Sequence, residues 1–164
     1  MKITVFTPTY NRAYIIENLY RSLQRQTCHD FEWLVVDDGS SDNTEELFRT
    51  WQQEENLFPI RYFRQENGGK HRAINRGLEL AEGELFFTVD SDDYLTDDAV
   101  EWIVSFAAKL PEDVKFAGIC GVKADENGKD LGKSFSGEYV DCTSWNAPNT
   151  GLKEIKRKFS IPIF

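Results

Sequence analysis

The sequence lacks the features of a membrane-spanning, secreted or disulfide-built protein. No apolar run approaches the roughly 20 residues of a transmembrane helix, and the opening MKITVFTP contains no signal-peptide core. The three cysteines, Cys28, Cys120 and Cys142, are too widely spaced for a CxxC metal motif, and their odd number suggests no disulfide framework. We therefore expect a cytoplasmic protein whose thiols are reduced and structural.

Positive charge is in short supply. The chain carries 19 Lys and Arg against 28 Asp and Glu, a formal charge of −9. This balance argues against a surface evolved to coat nucleic acid or anionic lipid, so any phosphate-binding site must be local. The 164 residues are 40% hydrophobic and 13% aromatic, which is enough for one globular domain with its own core.

Strand-like apolar runs alternate with helix-like segments before Leu110. The predicted strands are Ile3–Phe6, Phe31–Val36, Ile60–Phe63 and Leu85–Val89. Apolar residues at helical spacing follow each run, and Thr96 is expected to cap the last helix. The alternation predicts an α/β fold with a mostly parallel sheet and helices on both faces. After Val114 we expect a short mixed or antiparallel part, in which a strand at 115–122 forms a hairpin with 138–140.

Polar clusters follow three of the predicted strands. These clusters are Thr7–Arg12, Asp37–Asp42 and Asp90–Asp93. Parallel strands end at the same edge of a sheet, and open α/β sheets bind ligands there. We therefore expect the three clusters to converge on one rim that forms the binding site.

The cluster Asp90–Asp93 places three carboxylates within four residues. Carboxylates this close repel one another unless a cation or ligand compensates them, and hard oxygen donors suit Mg²⁺ or Mn²⁺. An acidic helix N-terminus would look the same, so the cluster alone leaves both interpretations open. A basic stretch, Arg61–Arg76, precedes it and contains Gly68 and Gly69, which permit close backbone approach. Cations beside carboxylates in one α/β unit are what a metal–diphosphate site needs.

Other motifs are ambiguous by themselves. Asp38 follows a buried strand and could either cap a turn or accept a hydrogen bond from a ligand donor such as the N3–H of uracil. Tyr10 could stack on a base and Arg12 could reach phosphate, although both could belong to a plain loop. For His71 we favour a polar surface position, because a lone His before a helix carries little functional signal.

Four motifs taken together are more specific. They are Thr7-Pro8-Thr9-Tyr10-Asn11-Arg12, Val35-Val36-Asp37-Asp38-Gly39-Ser40-Ser41-Asp42-Asn43-Thr44, Asn67-Gly68-Gly69 with Asn75-Arg76-Gly77, and Asp90-Ser91-Asp92-Asp93. In order, spacing and strand-end placement they resemble the family 2 glycosyltransferases of GT-A fold, a Rossmann-like α/β architecture. The resemblance covers about residues 1–110, which we expect to be the nucleotide-sugar (donor) binding region. Residues 111–164 would be a partial acceptor-side region of the same domain, and their apolar end suggests truncation.

The resemblance implies an inverting transfer from a nucleotide-diphospho-sugar. The expected donor-binding residues are Thr7, Pro8, Tyr10, Arg12, Asp38, Lys70, Arg72, Asp90, Ser91 and Asp92. In the first loop, Thr7, Pro8 and Tyr10 would surround the base. Asp38 matches the family's base-recognising aspartate and suggests a uridine donor.

The DxD motif of the family matches Asp90 and Asp92. There Asp92 would ligate Mn²⁺ or Mg²⁺ directly, while Asp90 and Ser91 would lie against the ribose and diphosphate. One departure is that the family's usual arginine is Ile74 in this sequence. We therefore move the cationic role to Lys70 first, or to Arg72.

A catalytic general base cannot be assigned. An inverting displacement needs a carboxylate near the acceptor hydroxyl, and the family places it downstream of DxD, often as Glu-Asp. Here Glu112-Asp113 follows Pro111 and lacks the expected helix after it. No spacing rule selects among the remaining acids, which are Asp125, Glu126, Asp130, Glu138, Asp141 and Glu154.

The predicted function is metal-assisted sugar transfer to a glycan or lipid-linked acceptor in surface-polysaccharide assembly. The alternative is a nucleotide-sugar-binding module without transfer activity, because the acceptor and base region is incomplete. A nucleotidyltransferase is disfavoured, since no early Gly-rich, basic phosphate loop follows the first strand. Basic residues from Lys153 to Lys158 beside Phe159 leave peripheral contact with the inner face of a membrane open. For the apolar tail we favour a core strand that has lost its partners.

Overall fold

The computed structural model describes residues 2–109, 116–124, 139–143 and 153–162. The chain divides into two compact units, Met1–Val100 and Glu101–Phe164. The first contains the strands β1 (Ile3–Thr9), β2 (Phe31–Asp37), β3 (Ile60–Arg64) and β4 (Leu85–Thr88) and the helices α1 (Glu17–Gln24), α2 (Thr44–Trp51) and α3 (Lys70–Leu80). Helix α4 (Ala99–Ala107) begins at the last two residues of the first unit. Within the described ranges, every helix is too short or too polar to cross a bilayer.

The four strands of the first unit form one parallel sheet. Their order is β3-β2-β1-β4, and all three strand pairs are parallel. The register of β1 and β2 runs from Ile3 opposite Phe31 to Thr9 opposite Asp37. Every residue of β1 and β2 is buried, as expected for central strands covered on both faces. The predicted α/β fold with a mostly parallel sheet is confirmed.

Helices cover both faces of this sheet. On one face Trp33 packs against Tyr20 of α1 and Trp51 of α2, with ring centroids 5.9 Å apart in each pair. The next residue, Leu34, shares an apolar cluster with Ala73 of α3. Because successive strand residues point to opposite faces, α1 and α2 lie on one face and α3 on the other.

Close packing of α3 on β1 depends on Gly77. A Cβ atom at this position would lie 2.2 Å from Cε2 of Phe6, far inside van der Waals contact. The glycine of the Asn75-Arg76-Gly77 motif therefore brings α3 against the sheet. This packing fixes the helix whose first residue, Lys70, stands at the rim.

A buried carboxylate joins the strands at the end of the sheet opposite the rim. The fully buried Glu32 side chain accepts hydrogen bonds from Thr4 Oγ1 at 2.5 Å and Glu82 N at 2.8 Å, and pairs with Arg61 Nη1 at 2.8 Å. The same Arg61 nitrogen donates to the Leu80 carbonyl at 2.9 Å. Burial raises the pKa of Glu32, but the hydrogen bonds from Thr4, Arg61 and Glu82 outweigh it and hold the pKa below its ordinary value. This network ties β1, β2 and β3 to the connection between α3 and β4.

The expected cap of α4 is wrong. The helix begins at Ala99, and the Thr96 hydroxyl is buried without a hydrogen-bond partner in the described part of the chain. Instead, Gln26 Oε1 accepts a hydrogen bond from Val100 N at 3.0 Å, and Gln26 Nε2 donates to the Thr96 carbonyl at 2.7 Å. A side chain distant in sequence therefore replaces the local cap.

The second unit contains a three-stranded mixed sheet. Its strands are β5 (Phe116–Ala124), β6 (Tyr139–Thr143) and β7 (Lys153–Pro162), in the order β5-β7-β6. Strand β7 pairs with β5 in parallel and with β6 antiparallel, which confirms the expected mixed C-terminal part. The expected hairpin is wrong because β7 separates β5 from β6. The described part of the tail is not a strand without partners either, since Ile161 and Pro162 pair with Lys123 and Ala124 of β5.

Candidate functional site

The three polar clusters meet beyond the carboxyl ends of β1, β2 and β4, as predicted. They line an open cavity of about 520 Å³, called the rim cavity below. Its lining residues are Pro8, Thr9, Tyr10, Arg12, Asp38, Asn67, Gly69, Lys70, Ala73, Asp90, Ser91 and Asp92. The segment from Asn67 to Ala73, around the start of α3, forms a further wall. Cavities of this size and position in α/β folds are typical of small-ligand sites.

Eight of the ten expected donor-binding residues line the rim cavity. They are Pro8, Tyr10, Arg12, Asp38, Lys70, Asp90, Ser91 and Asp92. Sequence reasoning assigned no donor-binding role to Thr9, Asn67, Gly69 or Ala73, which also line it. The motif Asn67-Gly68-Gly69 was an available signal, because it stands where a loop precedes a predicted helix. Thr9 and Ala73 carry no chemical signal of their own.

Thr7 does not line the cavity. It is fully buried in β1, and its Oγ1 accepts a hydrogen bond from Trp33 Nε1 at 3.0 Å. Side chains alternate between the two faces of a strand, and Thr7 lies on the face that carries Trp33. The structure therefore places Thr7 in the core beneath the rim, and not around a ligand in the cavity.

Arg72 lies beside the cavity without lining it. Its side chain passes over Gly68, where a Cβ atom would lie 2.5 Å from Arg72 Cδ. Lys70, in contrast, lines the cavity. Ile74 packs against the apolar cluster between α3 and the sheet, so position 74 offers no cation. Of the two candidates for the cationic role, only Lys70 is among the residues that line the cavity.

The Asp38 carboxylate holds the loop before α3 against the end of β2. Its Oδ2 accepts a hydrogen bond from Gly69 N at 2.6 Å, and its Oδ1 accepts from Gly68 N at 3.0 Å and Gln65 Nε2 at 2.7 Å. Burial raises the pKa of Asp38, but these donors and the Arg72 charge outweigh it and hold the pKa below its ordinary value. The carboxylate is therefore ionised at neutral pH. Gly68 N also lies 3.1 Å from Oδ2 and is shared between the two oxygens, so each of the carboxylate's roughly four acceptor positions has a donor.

Two glycines allow this arrangement of loops. Gly39 has a φ of 83° and Gly69 a φ of 93°, a backbone region that other residues rarely adopt. A Cβ atom at Gly39 would lie 3.0 Å from the backbone nitrogen of Asn67, so the loops after β2 and β3 touch there. Gly69 directly precedes α3, and its conformation directs Lys70 into the rim cavity.

Lys70 and Asp90 form an ion pair in the cavity. Lys70 Nζ lies 2.6 Å from Asp90 Oδ1, and both side chains are partly exposed. The basic and acidic segments of the sequence therefore meet at this point. Exposed pairs of this kind contribute little to stability, so a charged ligand can compete for either partner.

The acidic wall of the cavity fits a divalent cation that arrives with a ligand. Asp90 and Asp92 present hard oxygen donors to the same space, and Asp90 already attracts the Lys70 ammonium group. In the segments that the structure describes, no three His, Cys, Asp or Glu side chains are grouped so that they could hold a metal ion. Mg²⁺ commonly binds one or two carboxylates and completes its shell with water and substrate phosphates. Asp90 and Asp92 fit a cation that is bound together with substrate phosphates, and they do not fit a metal centre built from protein ligands alone.

No general base is assigned. Four of the candidate acids, Asp125, Glu126, Asp130 and Glu138, lie outside the described residues, as does Glu112-Asp113. Asp141 lies on β6 opposite Ile155, and Glu154 lies on β7 opposite Cys142.

The family model of Glycosyl transferase family 2 matches residues 4–164. A curated relative is the GalNAc(5)-diNAcBac-PP-undecaprenol beta-1,3-glucosyltransferase of Campylobacter jejuni. It is 32% identical over 145 residues, which are 87% of this chain and 45% of that protein.

Two solved structures are also similar. The crystal structure of S. aureus TarS 1-349 in complex with UDP-GlcNAc has a TM-score of 0.72 and 29% identity, and the similarity covers 96% of this chain and 45% of that one. The mannosyltransferase PcManGT from Pyrobaculum calidifontis, in complex with GDP-Man and Mn²⁺, has a TM-score of 0.64 and 29% identity, covering 73% of this chain and 35% of that one. The chain thus spans less than half the length of these relatives.

Proposed function

The chain belongs to glycosyl transferase family 2, and we propose that it transfers a sugar from a nucleotide-diphospho-sugar to a glycan or lipid-linked acceptor. Membership confirms the resemblance drawn from the four motifs, and the similarity to TarS confirms the GT-A fold class. One observation carries the proposal: an ionised acceptor, Asp38, a cation, Lys70, and the carboxylates of Asp90 and Asp92 all line one cavity. A nucleobase needs a hydrogen-bond acceptor such as Asp38, a diphosphate needs a cation such as Lys70, and a divalent cation needs carboxylates such as Asp90 and Asp92.

We favour a uridine donor. The Asp38 carboxylate would accept a hydrogen bond from the N3–H of uracil in place of its second contact with Gly68 N, which lies 3.1 Å from Oδ2. Tyr10 lines the same cavity and is half exposed, so it is available to stack on a base. A TarS structure contains UDP-GlcNAc, whereas the PcManGT structure contains GDP-Man.

The diphosphate would lie between Lys70 and the DxD residues. Asp92 would hold Mn²⁺ or Mg²⁺, with Asp90 and Ser91 against the ribose and diphosphate. When bound, the cation would neutralise the charge that develops on the departing diphosphate, and preorganised charges of this kind lower a barrier chiefly by electrostatic stabilisation. Lys70 would exchange its contact with Asp90 for a phosphate oxygen. Arg12, also in the cavity wall, would offer a second cation.

Inversion requires that the acceptor hydroxyl attack from the face opposite the leaving diphosphate, aided by a carboxylate base. We propose that residues 1–110 bind the donor and that residues 111–164 belong to the acceptor side. A second candidate function is a nucleotide-sugar-binding module without transfer. It corresponds to a site that binds the donor, and the similarity covers 45% of the Campylobacter relative.

The proposed setting is the cytoplasmic face of a membrane in surface-polysaccharide assembly. The Campylobacter relative is named for a PP-undecaprenol acceptor, which is lipid-linked. A lipid-linked acceptor would bring the chain to a membrane surface. The basic residues of β7 would then serve peripheral contact.

Calorimetric titration of the chain with UDP, GDP and dTDP, each with and without Mn²⁺, tests the proposal. We expect UDP to bind and Mn²⁺ to tighten it. In a parallel assay, release of sugar from UDP-sugars or its transfer to a supplied acceptor would support the transferase. Binding without either reaction would support the binding module, and binding of none of the nucleotides would contradict both.

Lys70→Ala is expected to weaken UDP binding about 10-fold, because a charge-assisted contact with the diphosphate is lost. The matched control is Arg76→Ala on the same helix, whose guanidinium pairs with Glu79 at 3.2 Å and does not line the cavity. This control should bind UDP within about two-fold of the wild type. Unchanged affinity in a Lys70→Ala, Arg72→Ala double variant would refute the cationic role of both residues. Calorimetry at fixed Mn²⁺ measures all four proteins.

A further inference from the structure

Asn11 occupies an unusual position in the loop between β1 and α1. It lies between Tyr10 and Arg12, which line the rim cavity, but is not itself part of the lining. Its φ is 52°, and it is the one non-glycine residue with a positive φ in the described part of the chain. Asparagine tolerates this left-handed conformation better than most residues. The loop therefore turns sharply at Asn11, between two side chains that face the ligand space.

The two shortest hydrogen bonds between Asn11 and the loop after β2 run in opposite directions, and Ser41 Oγ makes a third, longer one to Asn11 Oδ1 at 3.4 Å. The backbone nitrogen of Asn11 donates to Ser40 Oγ at 2.8 Å. Its side-chain Oδ1 accepts from the backbone nitrogen of Ser41 at 2.8 Å. One residue thus satisfies a donor and an acceptor of the neighbouring loop, which begins with Asp38. We call this pair of contacts the Asn11 clamp.

The far side of the clamp is anchored in the sheet. Ser40 Oγ donates to Asp37 Oδ1 at 2.6 Å, and Ser40 N donates to the same oxygen at 2.8 Å. Asp37 is fully buried at the end of β2, and its Oδ2 accepts a hydrogen bond from the Tyr62 hydroxyl of β3. Burial and the adjoining Asp37 carboxylate raise the pKa of Tyr62, so its hydroxyl remains a donor. The loop at Ser40 is therefore held rigidly, and Asn11 is attached to a fixed point.

Further contacts run along the same seam between the two loops. Asp38 N donates to the Thr9 carbonyl at 2.9 Å, and Ala13 N donates to Asp42 Oδ2 at 3.0 Å. These bonds flank the clamp on both sides. Without the clamp, the backbone between Thr9 and Ala13 would keep its ends fixed but lose the contacts at its centre, where Tyr10 and Arg12 stand.

We propose that Asn11 is a positioning residue for donor binding, whose clamp presets Tyr10 and Arg12 opposite Asp38 before the nucleotide arrives. The inference rests on the proposed function, since the ligand is taken to be a nucleotide. Side chains that are already held in place lose less conformational entropy on binding, so the ligand binds more tightly. The clamp acts through Tyr10 and Arg12, and Asn11 itself makes no contact with the ligand space.

The test compares Asn11→Gly, Asn11→Asp and Asn43→Gly with the wild type in the full chain. Asn11→Gly keeps the positive φ free of strain but removes Oδ1, so UDP should bind about 5- to 10-fold more weakly while the protein stays folded. Asn11→Asp keeps an acceptor oxygen and tolerance of the left-handed region, so UDP affinity should return to within about three-fold of the wild type. Asn43→Gly makes the same change at an exposed position whose side chain forms no cap hydrogen bond, and affinity should not change.

A second measurement is independent of nucleotide. Hydrogen exchange of the Ser41 amide should be slow in the wild type and Asn11→Asp, and faster in Asn11→Gly, because Asn11 Oδ1 is the acceptor of that amide. Equal exchange of Ser41 in wild type and Asn11→Gly would overturn the clamp. So would unchanged UDP affinity of Asn11→Gly, or equal weakening by Asn43→Gly, which would indicate general loop flexibility.

The two proposals fail in different ways. If the wild type binds no nucleotide, the proposed function is wrong, and the Ser41 exchange still decides whether the clamp exists. If the wild type binds UDP and Asn11→Gly binds it equally well, the proposed function stands and the positioning role is refuted. Melting temperatures of the four proteins show whether a loss of affinity reflects unfolding, since a purely structural role would lower the melting temperature without a selective change in UDP affinity.

Discussion

Asp92→Asn is expected to slow sugar transfer by about 1,000-fold or more and to abolish the gain in UDP affinity that Mn²⁺ provides. The substitution keeps the shape of the side chain and removes its charge. Asp92 lines the rim cavity beside Asp90 and Ser91, and in the proposed function it holds the cation against the diphosphate. Neutral amide oxygen is a much weaker partner for a divalent cation than a carboxylate, so the cation would no longer be retained.

Asp98→Asn provides the matched control for this variant. Asp98 belongs to the same acidic run, but it is exposed and does not line the cavity. Calorimetry of UDP with increasing Mn²⁺ should give wild-type behaviour for Asp98→Asn and binding independent of Mn²⁺ for Asp92→Asn. Retention of the metal effect in Asp92→Asn would move the metal site to another acid and contradict the assignment of the DxD motif. Melting temperatures establish that both variants are folded.

The position of the site was predictable from the sequence because it depends on strand ends. A continuous apolar run such as Phe31–Val36 signals a buried parallel strand, and the polar residue that follows it must lie at the carboxyl edge. The same reasoning placed Asp38, Asp90 and Asp92 at one rim, and they line one cavity. Thr7 was misplaced because the exact end of β1 was not visible: the strand continues to Thr9, which leaves Thr7 inside the core.

Contacts between loops were not predictable, because they depend on the order of strands in the sheet. The bonds from Gly68 and Gly69 to Asp38 require that β3 lie next to β2. The Asn11 clamp likewise requires that β1 be the other neighbour of β2. A single sequence indicates strands but does not give their neighbours, so the roles of these residues in holding the loops emerged from the structure alone.

The C-terminal strands were predicted least well for a related physical reason. Strand β7 carries several charges in Lys153–Arg157, and these obscure the apolar pattern by which a strand is recognised. Its parallel partner, β5, ends at Ala124, so the chain between them is long. Local turn signals favour hairpins between successive strands, and here the third strand inserts between the first two.

Arg61→Met is expected to destabilise the fold by about 3 kcal/mol, because it leaves the buried Glu32 carboxylate without its ionic partner. The Glu32 side chain is fully buried and that of Arg61 is 25% exposed. Urea unfolding at neutral pH measures the effect. The control is Arg76→Met, which removes an exposed pair with Glu79 and should cost less than about 0.5 kcal/mol. Equal losses in the two variants would show that the buried network adds nothing beyond a surface pair.

The same network predicts how stability responds to acid. Glu32 has an ordinary pKa of 4.5, and its pKa is lowered in the folded protein because the hydrogen bonds from Thr4, Arg61 and Glu82 outweigh the effect of burial. A group with a lowered pKa binds fewer protons when folded than when unfolded, so it adds stability above its ordinary pKa. That stability is lost as the pH falls below 4.5 and through the lowered pKa. Arg61→Met removes one of the three hydrogen-bond donors, so burial opposes the lowering of the Glu32 pKa more effectively. Glu32 therefore contributes less to the pH dependence of stability. Unfolding free energies measured from neutral pH down to about pH 3 should therefore fall less steeply below 4.5 in the variant than in the wild type, and parallel curves would exclude Glu32 as the titrating group.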